Sequence, residues 1–273
     1  MPVDWAAGTS VALDALPRLI DLLLRLKAPW GTEEYDAAFR AIQAEVVDNV
    51  AASDLAALSR GELVAHTGVL LRMLVAIVKG SMGSQETVVN ACYMVPMEPD
   101  AAVELAFHED NWKLDSYHCF LKLEAWAEET PDLPMHLVLP VPKATQDRLF
   151  GAPRAFASNT LQVVNNTRRC HWLVDKHRCP ETRHRVEQYF RQYGDKIRSF
   201  ASIPIEPPFP ERSNNCRFHS PSVGIVNIHS SRKYVLGRAR RNRRRWRSVL
   251  SLPLLLLSYY VGRLHPEPVP LPK

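Results

Sequence analysis

The residue types best suited to chemistry gather between residues 170 and 219. They are Cys170-His171, His177-Arg178-Cys179 and His184, with Cys216 and His219 farther on. Thiolate and imidazole are the ligands of a tetrahedral zinc, and the four residues between Cys179 and His184 fit one half of such a site. No Cys-x-x-Cys pair exists and the spacings match no standard finger, so no metal is assigned. The same segment suits thiol chemistry. Arg168, Arg169, His171, Lys176 and Arg178 place positive charge around Cys170 and Cys179, and nearby cations favour the reactive thiolate. Other catalytic classes lack their minimum parts: there is no Gly-x-Ser-x-Gly, no phosphate-cradling Gly-x-x-x-x-Gly-Lys, no His-Glu-x-x-His and no dinucleotide fingerprint. The carboxylate pairs Glu33-Glu34 and Glu128-Glu129 read as solvated charge.

A second chemistry is electrostatic. The formal net charge is +5, but nine basic residues fall between Arg232 and Arg247 with no acid among them, so the remaining chain is acidic on balance. Within this run Arg240, Arg241, Arg243, Arg244 and Arg245 form a candidate anion-binding patch for an acidic membrane or a nucleic acid. Only Tyr234 and Trp246 interleave it, which provides poorly for base stacking. The following run, Val249 to Val261, is apolar around most of its circumference and therefore asks for burial on more than one side. Packing on a sheet and on a second copy of the chain, giving a homodimer through the terminal helices, both supply that burial. At 13 residues it is short for a membrane span.

The elements that position these groups follow from periodicity. Residues 11–27 and 32–50 read as amphipathic helices, forming with their surroundings an N-terminal helical segment over 1–60. A third helix opens at the capping box Ser59-Arg-Gly-Glu62 and runs to about Lys79. Its apolar run from Leu70 to Val78 is interrupted by Arg72 and reads as a core helix rather than a membrane span. From Val88 the period becomes two, with strands expected over 88–95, 103–107, 118–126 and 136–141. A turn-rich connector is expected over 151–159, a short strand over 161–165, a helix over 181–191 and neighbouring antiparallel strands over 199–205 and 224–229. The last helix spans about 240–263 with a kink at Pro253, and a proline-rich tail, 264–273, is expected to be extended. Along the paired strands Ala201, Ile203, Ile205, Val226 and Ile228 share one face, which suits a helix layer. Phe200, Ser202, Asn227 and His229 point to the other.

The stretches FGAPRAFASNTLQVVNNT (150–167), KIRSFASIPI (196–205) and VGIVNIHSS (223–231), followed by the long apolar helix, resemble a GAF domain over roughly residues 62–263. The resemblance implies an α+β fold: a GAF-like six-stranded antiparallel sheet over 61–263 with its terminal helices on one face, a small-molecule pocket on the other, and the helical segment 1–60 ahead of it. It also implies that Phe156, Trp172, Tyr189, Phe200, Ser202, Asn227 and His229 surround the ligand. The function implied is that of a regulatory sensor without catalytic activity, which binds a small molecule or a signalling protein and signals through its terminal helices. One GAF subfamily, the free methionine sulfoxide reductases, uses pocket cysteines, and Cys170 and Cys179 stand in the corresponding region. Its cysteine-bearing glycine motif here reads Gly151-Ala-Pro-Arg154, without the cysteine. No cofactor follows from the sequence. Five cysteines, an odd number, make no disulfide framework, and the start Met-Pro-Val-Asp has no basic n-region, so the expected location is the cytoplasm, with the arginine patch as a possible membrane contact.

Overall fold

The computed structural model describes residues 58–82, 87–98, 117–127, 138–143, 150–169, 180–206, 222–237 and 240–265. The helices expected over 11–27 and 32–50, the strand expected over 103–107 and the tail from 266 onward lie outside the described residues.

Helix α1 (Arg60–Met82) starts where the capping box places it. The Ser59 N–H donates to Glu62 Oε2 at 2.8 Å and the Glu62 N–H donates to Ser59 Oγ at 3.3 Å, so two backbone donors at the helix start are satisfied reciprocally. Strands β1 (Val89–Met97), β2 (Tyr117–Trp126) and β3 (Val138–Pro142) follow. Next come the short helix α2 (Ala152–Ser158), strand β4 (Gln162–Val164), a 3-10 turn over Thr167–Arg169 and helix α3 (Pro180–Tyr193). Strands β5 (Ser199–Ile205) and β6 (Gly224–Ser230) and the long helix α4 (Arg240–Leu264) complete the fold.

The expected turn-rich connector over 151–159 is helix α2 instead. Its turn-forming residues are the helix ends: Gly151 before it has φ 68°, Pro153 stands in the first turn where its missing N–H costs nothing, and Asn159 closes it in the left-handed conformation.

The six strands form one sheet in the order β3-β2-β1-β6-β5-β4, antiparallel throughout. Its back is aliphatic apart from the fully buried Tyr93. Ala91, Val95, Ala201, Ile205, Val226 and Ile228 are buried beneath α1 and α4, as the alternation of the two last strands requires. Leu70, Leu71, Leu74 and Val78 of α1 and Leu257 and Val261 of α4 are fully buried there. By length and composition alone α1 could cross a membrane; in this fold it is a core helix packed on α4 and β1. The 249–261 stretch of α4 is apolar on most sides and the helix contacts both α1 and the sheet; it contains Pro253.

One irregularity decides what the other face presents. Tyr93 pairs with Ala125 but Met94 pairs with Leu123, so Glu124 is an extra residue in β2, a β-bulge. Upstream of it Cys119, Leu121 and Leu123 face the front core. Beyond it Ala125 packs on the back core, and Trp126 takes the front position opposite Cys92.

Candidate functional site

The front face is organised in rows that run across the strands. The first is aliphatic: Leu123, Met94 and Ile225 lie side by side on β2, β1 and β6, and α2 covers them with Ala152, Ala155 and Phe156. The second is polar: register places Trp126, Cys92, Asn227, Ser202 and Gln162 in line across five strands. The third brings Asn90, His229, Phe200 and Val164 together. Helix α3 lays Tyr189, Phe190 and Tyr193 over the aromatic end, where they pack with Phe200, Trp126, Phe150 and Ile197.

Within the polar row the Ser202 hydroxyl donates to Asn227 Oδ1 at 2.6 Å, both residues being buried. Burial pushes the Cys92 thiol up to about 12, although hydrogen bonding to Asn227 pulls the other way, so this thiol is protonated at neutral pH. Burial, the largest cause, raises the Tyr189 phenol well above the ordinary range, and the neighbouring Cys92 and Tyr193, which would repel a phenolate once ionised themselves, act in the same direction.

His229 lies between two rings. Its centroid is 5.6 Å from Trp126 and 6.1 Å from Phe200, both edge-on at 66° and 80°. Burial lowers its pKa to about 4, and no described charge contributes, so the imidazole is neutral. Two nitrogens here are sealed from water without a hydrogen-bond partner among the described residues: His229 Nδ1 and Trp126 Nε1. Leaving such groups unpaired costs about 1–3 kcal/mol each, a cost that Tyr93 Oη and Arg198 Nη1 carry elsewhere among the described residues.

The other rings are fixed by stacking. Phe190 stands 6.2 Å from Phe200 and 6.1 Å from Phe150, with interplanar angles of 16° and 28°. Gly151 permits this. A Cβ there would sit 2.9 Å from Phe200 Cε2, and the positive φ excludes most side chains as well.

Of the residues that the sequence singled out, Tyr189, Phe200, Ser202, Asn227 and His229 come together on this face, opposite the terminal helices. Phe156 is fully buried in the neighbouring aliphatic row. Trp172, Cys170 and Cys179 lie outside the described residues, and His184 is exposed on α3. Arg240, Arg241, Arg243, Arg244 and Arg245 occupy the first turns of α4, and the description there extends to the backbone alone. Among the described residues no three His, Cys, Asp or Glu side chains are grouped to hold a metal. Sequence reasoning missed Trp126 and Cys92. Plain alternation through β2 turns Trp126 to the back, and the pairing of Cys92 with Asn227 joins segments far apart in the chain.

Comparison of the sequence with protein-family models and with curated proteins finds no match. Solved structures do overlap with the fold. The GAF domain region of a protein described as a membrane protein from Geobacter sulfurreducens PCA is 15% identical, with 71% of this chain and 95% of that one covered at a TM-score of 0.37. A structure described as that of the GAF domain is 11% identical, covering 72% and 89% at a TM-score of 0.35. A type II free methionine-R-sulfoxide reductase from Thermoplasma acidophilum is 13% identical, covering 72% and 96% at a TM-score of 0.35. These overlaps carry no argument about activity. The sheet order, the antiparallel pairing throughout and the placement of both terminal helices on the back give this chain a GAF-like fold.

Proposed function

We propose that this chain is a regulatory, non-catalytic GAF-like domain that binds a small molecule on the front of the sheet and passes the change to α1 and α4 behind it. The observation that carries the reading is the pair of sealed, unpartnered nitrogens, His229 Nδ1 and Trp126 Nε1, beside the buried Ser202–Asn227 bond. Small-molecule sites combine aromatic side chains with a few fixed polar groups, and this face carries both kinds. The route to the back is short. On β6 the front residues Asn227 and His229 alternate with Val226 and Ile228, which pack in the core beneath α1 and α4. The two helices meet directly, with His66 edge-on to Tyr260 at 5.3 Å.

Cys92, the described thiol on this face, is buried and held protonated, while Cys170 and Cys179, on which a thiol-enzyme reading rests, lie outside the described residues. Native mass spectrometry of the purified protein tests the reading by looking for a retained small molecule. Hydrogen exchange with and without that molecule then reads the coupling. Added protection in β6, α1 and α4 is expected. A protein that retains nothing, and whose melting temperature no compound in a broad small-molecule screen raises, would sink the reading. Reduction of free methionine sulfoxide that is lost in Cys170→Ser or Cys179→Ser would replace it with a thiol enzyme.

A further inference from the structure

We infer that the arginine-bearing face of the first two turns of α4 docks in the major groove of double-stranded DNA and holds its phosphates. The inference is independent of the ligand reading above.

Three observations converge. The first is that the arginine run does not serve the helix that contains it. Arg240, Arg241, Arg243, Arg244, Arg245 and Arg247 stand in the opening turns of α4, where cations oppose the helix dipole. The run also sets like charges four apart, Arg240 with Arg244, Arg241 with Arg245 and Arg243 with Arg247, a spacing that weakens a helix. No acid nearby in the chain relieves it, because there is no Asp or Glu from Arg212 to Pro266. An anionic partner supplies that counter-charge.

The second is placement. Trp246 and Leu250 pack in the back core and mark the side of α4 that the domain holds. With 3.6 residues per turn, positions 240, 241, 244, 245 and 247 fall on the opposite half of the helix and position 243 on its flank. A helix held by its back on a domain and cationic along its outer side is the arrangement that recognition helices offer to the major groove of B-form DNA, about 12 Å wide. Arg232 and Lys233, both exposed a few residues ahead of the helix, add to the charge.

The third is residue type. Every cation from position 240 to 247 is arginine, whose planar fork matches two phosphate oxygens at once. A helix lying on a bilayer inserts its apolar side, and the apolar side of α4 is turned into the core at Trp246 and Leu250. The same packing engages the Trp246 ring, so the contacts are to phosphates rather than to stacked bases, and they carry little sequence preference. The deep, narrow major groove of an RNA duplex does not admit such a helix.

Fluorescence anisotropy of the full chain with a short labelled DNA duplex, over a series of KCl concentrations, tests the inference. With about five arginines on phosphates, the logarithm of the binding constant is expected to fall against that of the salt concentration with a slope of about −4 to −5, so that binding weakens by roughly two to three orders of magnitude between about 50 and 200 mM. Arg240→Ala with Arg244→Ala and, separately, Arg241→Ala with Arg245→Ala are each expected to reduce that slope by about 2, and either pair decides if the other fails to fold. Arg154→Ala with Arg191→Ala, exposed arginines on α2 and α3, is expected to leave it unchanged. Absence of salt-dependent duplex binding overturns the inference. So does binding that neither α4 pair weakens, or that the α2 and α3 pair weakens as much. Equal affinity for an RNA duplex of the same length overturns the choice of DNA. Tighter association with phosphatidylserine-containing vesicles than with the duplex, lost in the α4 pairs, assigns the patch to a membrane instead.

Discussion

Ser202 on β5 and Asn227 on β6 are direct cross-strand partners joined by a buried 2.6 Å hydrogen bond. Cys92 faces Asn227 from the opposite side on β1. Asn227 is therefore the centre of a polar seam between an aliphatic half of the front layer and an aromatic half.

Ser202→Ala leaves a buried carbonyl oxygen without its donor, and the expected loss is about 1–2 kcal/mol of unfolding free energy in urea. Ser202→Thr, which keeps the hydroxyl, is expected to recover part of it. An alanine variant as stable as the parent would mean that Asn227 finds another donor and that the seam is not a fixed element.

His229 sets a pH dependence with a definite sign. Its pKa falls from 6.5 to about 4 on folding, so below pH 6.5 the unfolded chain takes up a proton that the folded chain refuses. Stability is therefore full above about pH 6.5 and is lost as the pH falls towards about 4, by at most about 3 kcal/mol. His229→Phe preserves ring packing and removes the titration. The difference between the two unfolding profiles over that window isolates the imidazole from the carboxylates, and parallel profiles would show that the ring is not desolvated as described.

Gly151→Ala is expected to destabilise by about 1–3 kcal/mol, because alanine is strained at φ 68° and its Cβ would press on Phe200 at 2.9 Å. The Phe200 ring must shift, and the variant should show displaced aromatic NMR signals together with a lowered melting temperature. An unperturbed aromatic spectrum would count against the close approach of α2 and β5.

Burial pushes Cys92 and Cys119 each up to about 12, so neither should react with a disulfide probe in the native protein at pH 7.5. Peptide mapping after brief labelling is expected to find both thiols unmodified, and both modified in guanidinium chloride. Rapid native labelling of Cys92 would reopen thiol chemistry at the site.

Much of this architecture is legible in the amino-acid sequence. The Ser59–Glu62 capping box located α1, and the alternation of Ser199–Ile205 and Gly224–His229 sorted their two faces, because pleating turns successive residues to opposite sides whatever the partner strand. The apolar girth of Val249–Val261 announced a helix buried on several sides, and α4 meets both α1 and the sheet. Helix α2 was less legible, since Gly151 and Asn159 signal a turn equally well whether seven helical residues lie between them or none.

What the chain dictates locally is which side chains share a face; what those faces meet is settled by pairing between distant segments. The bulge at Glu124 exists only in the register of β2 against β1, and that one extra residue carries Trp126 to the front while Ala125 stays behind. The seam likewise needs β1 to lie beside β6, which sets Cys92 opposite Asn227. Period-two patterning is a property of one strand, whereas register and neighbour choice come from the packing of the whole sheet, and the site is made where the two meet.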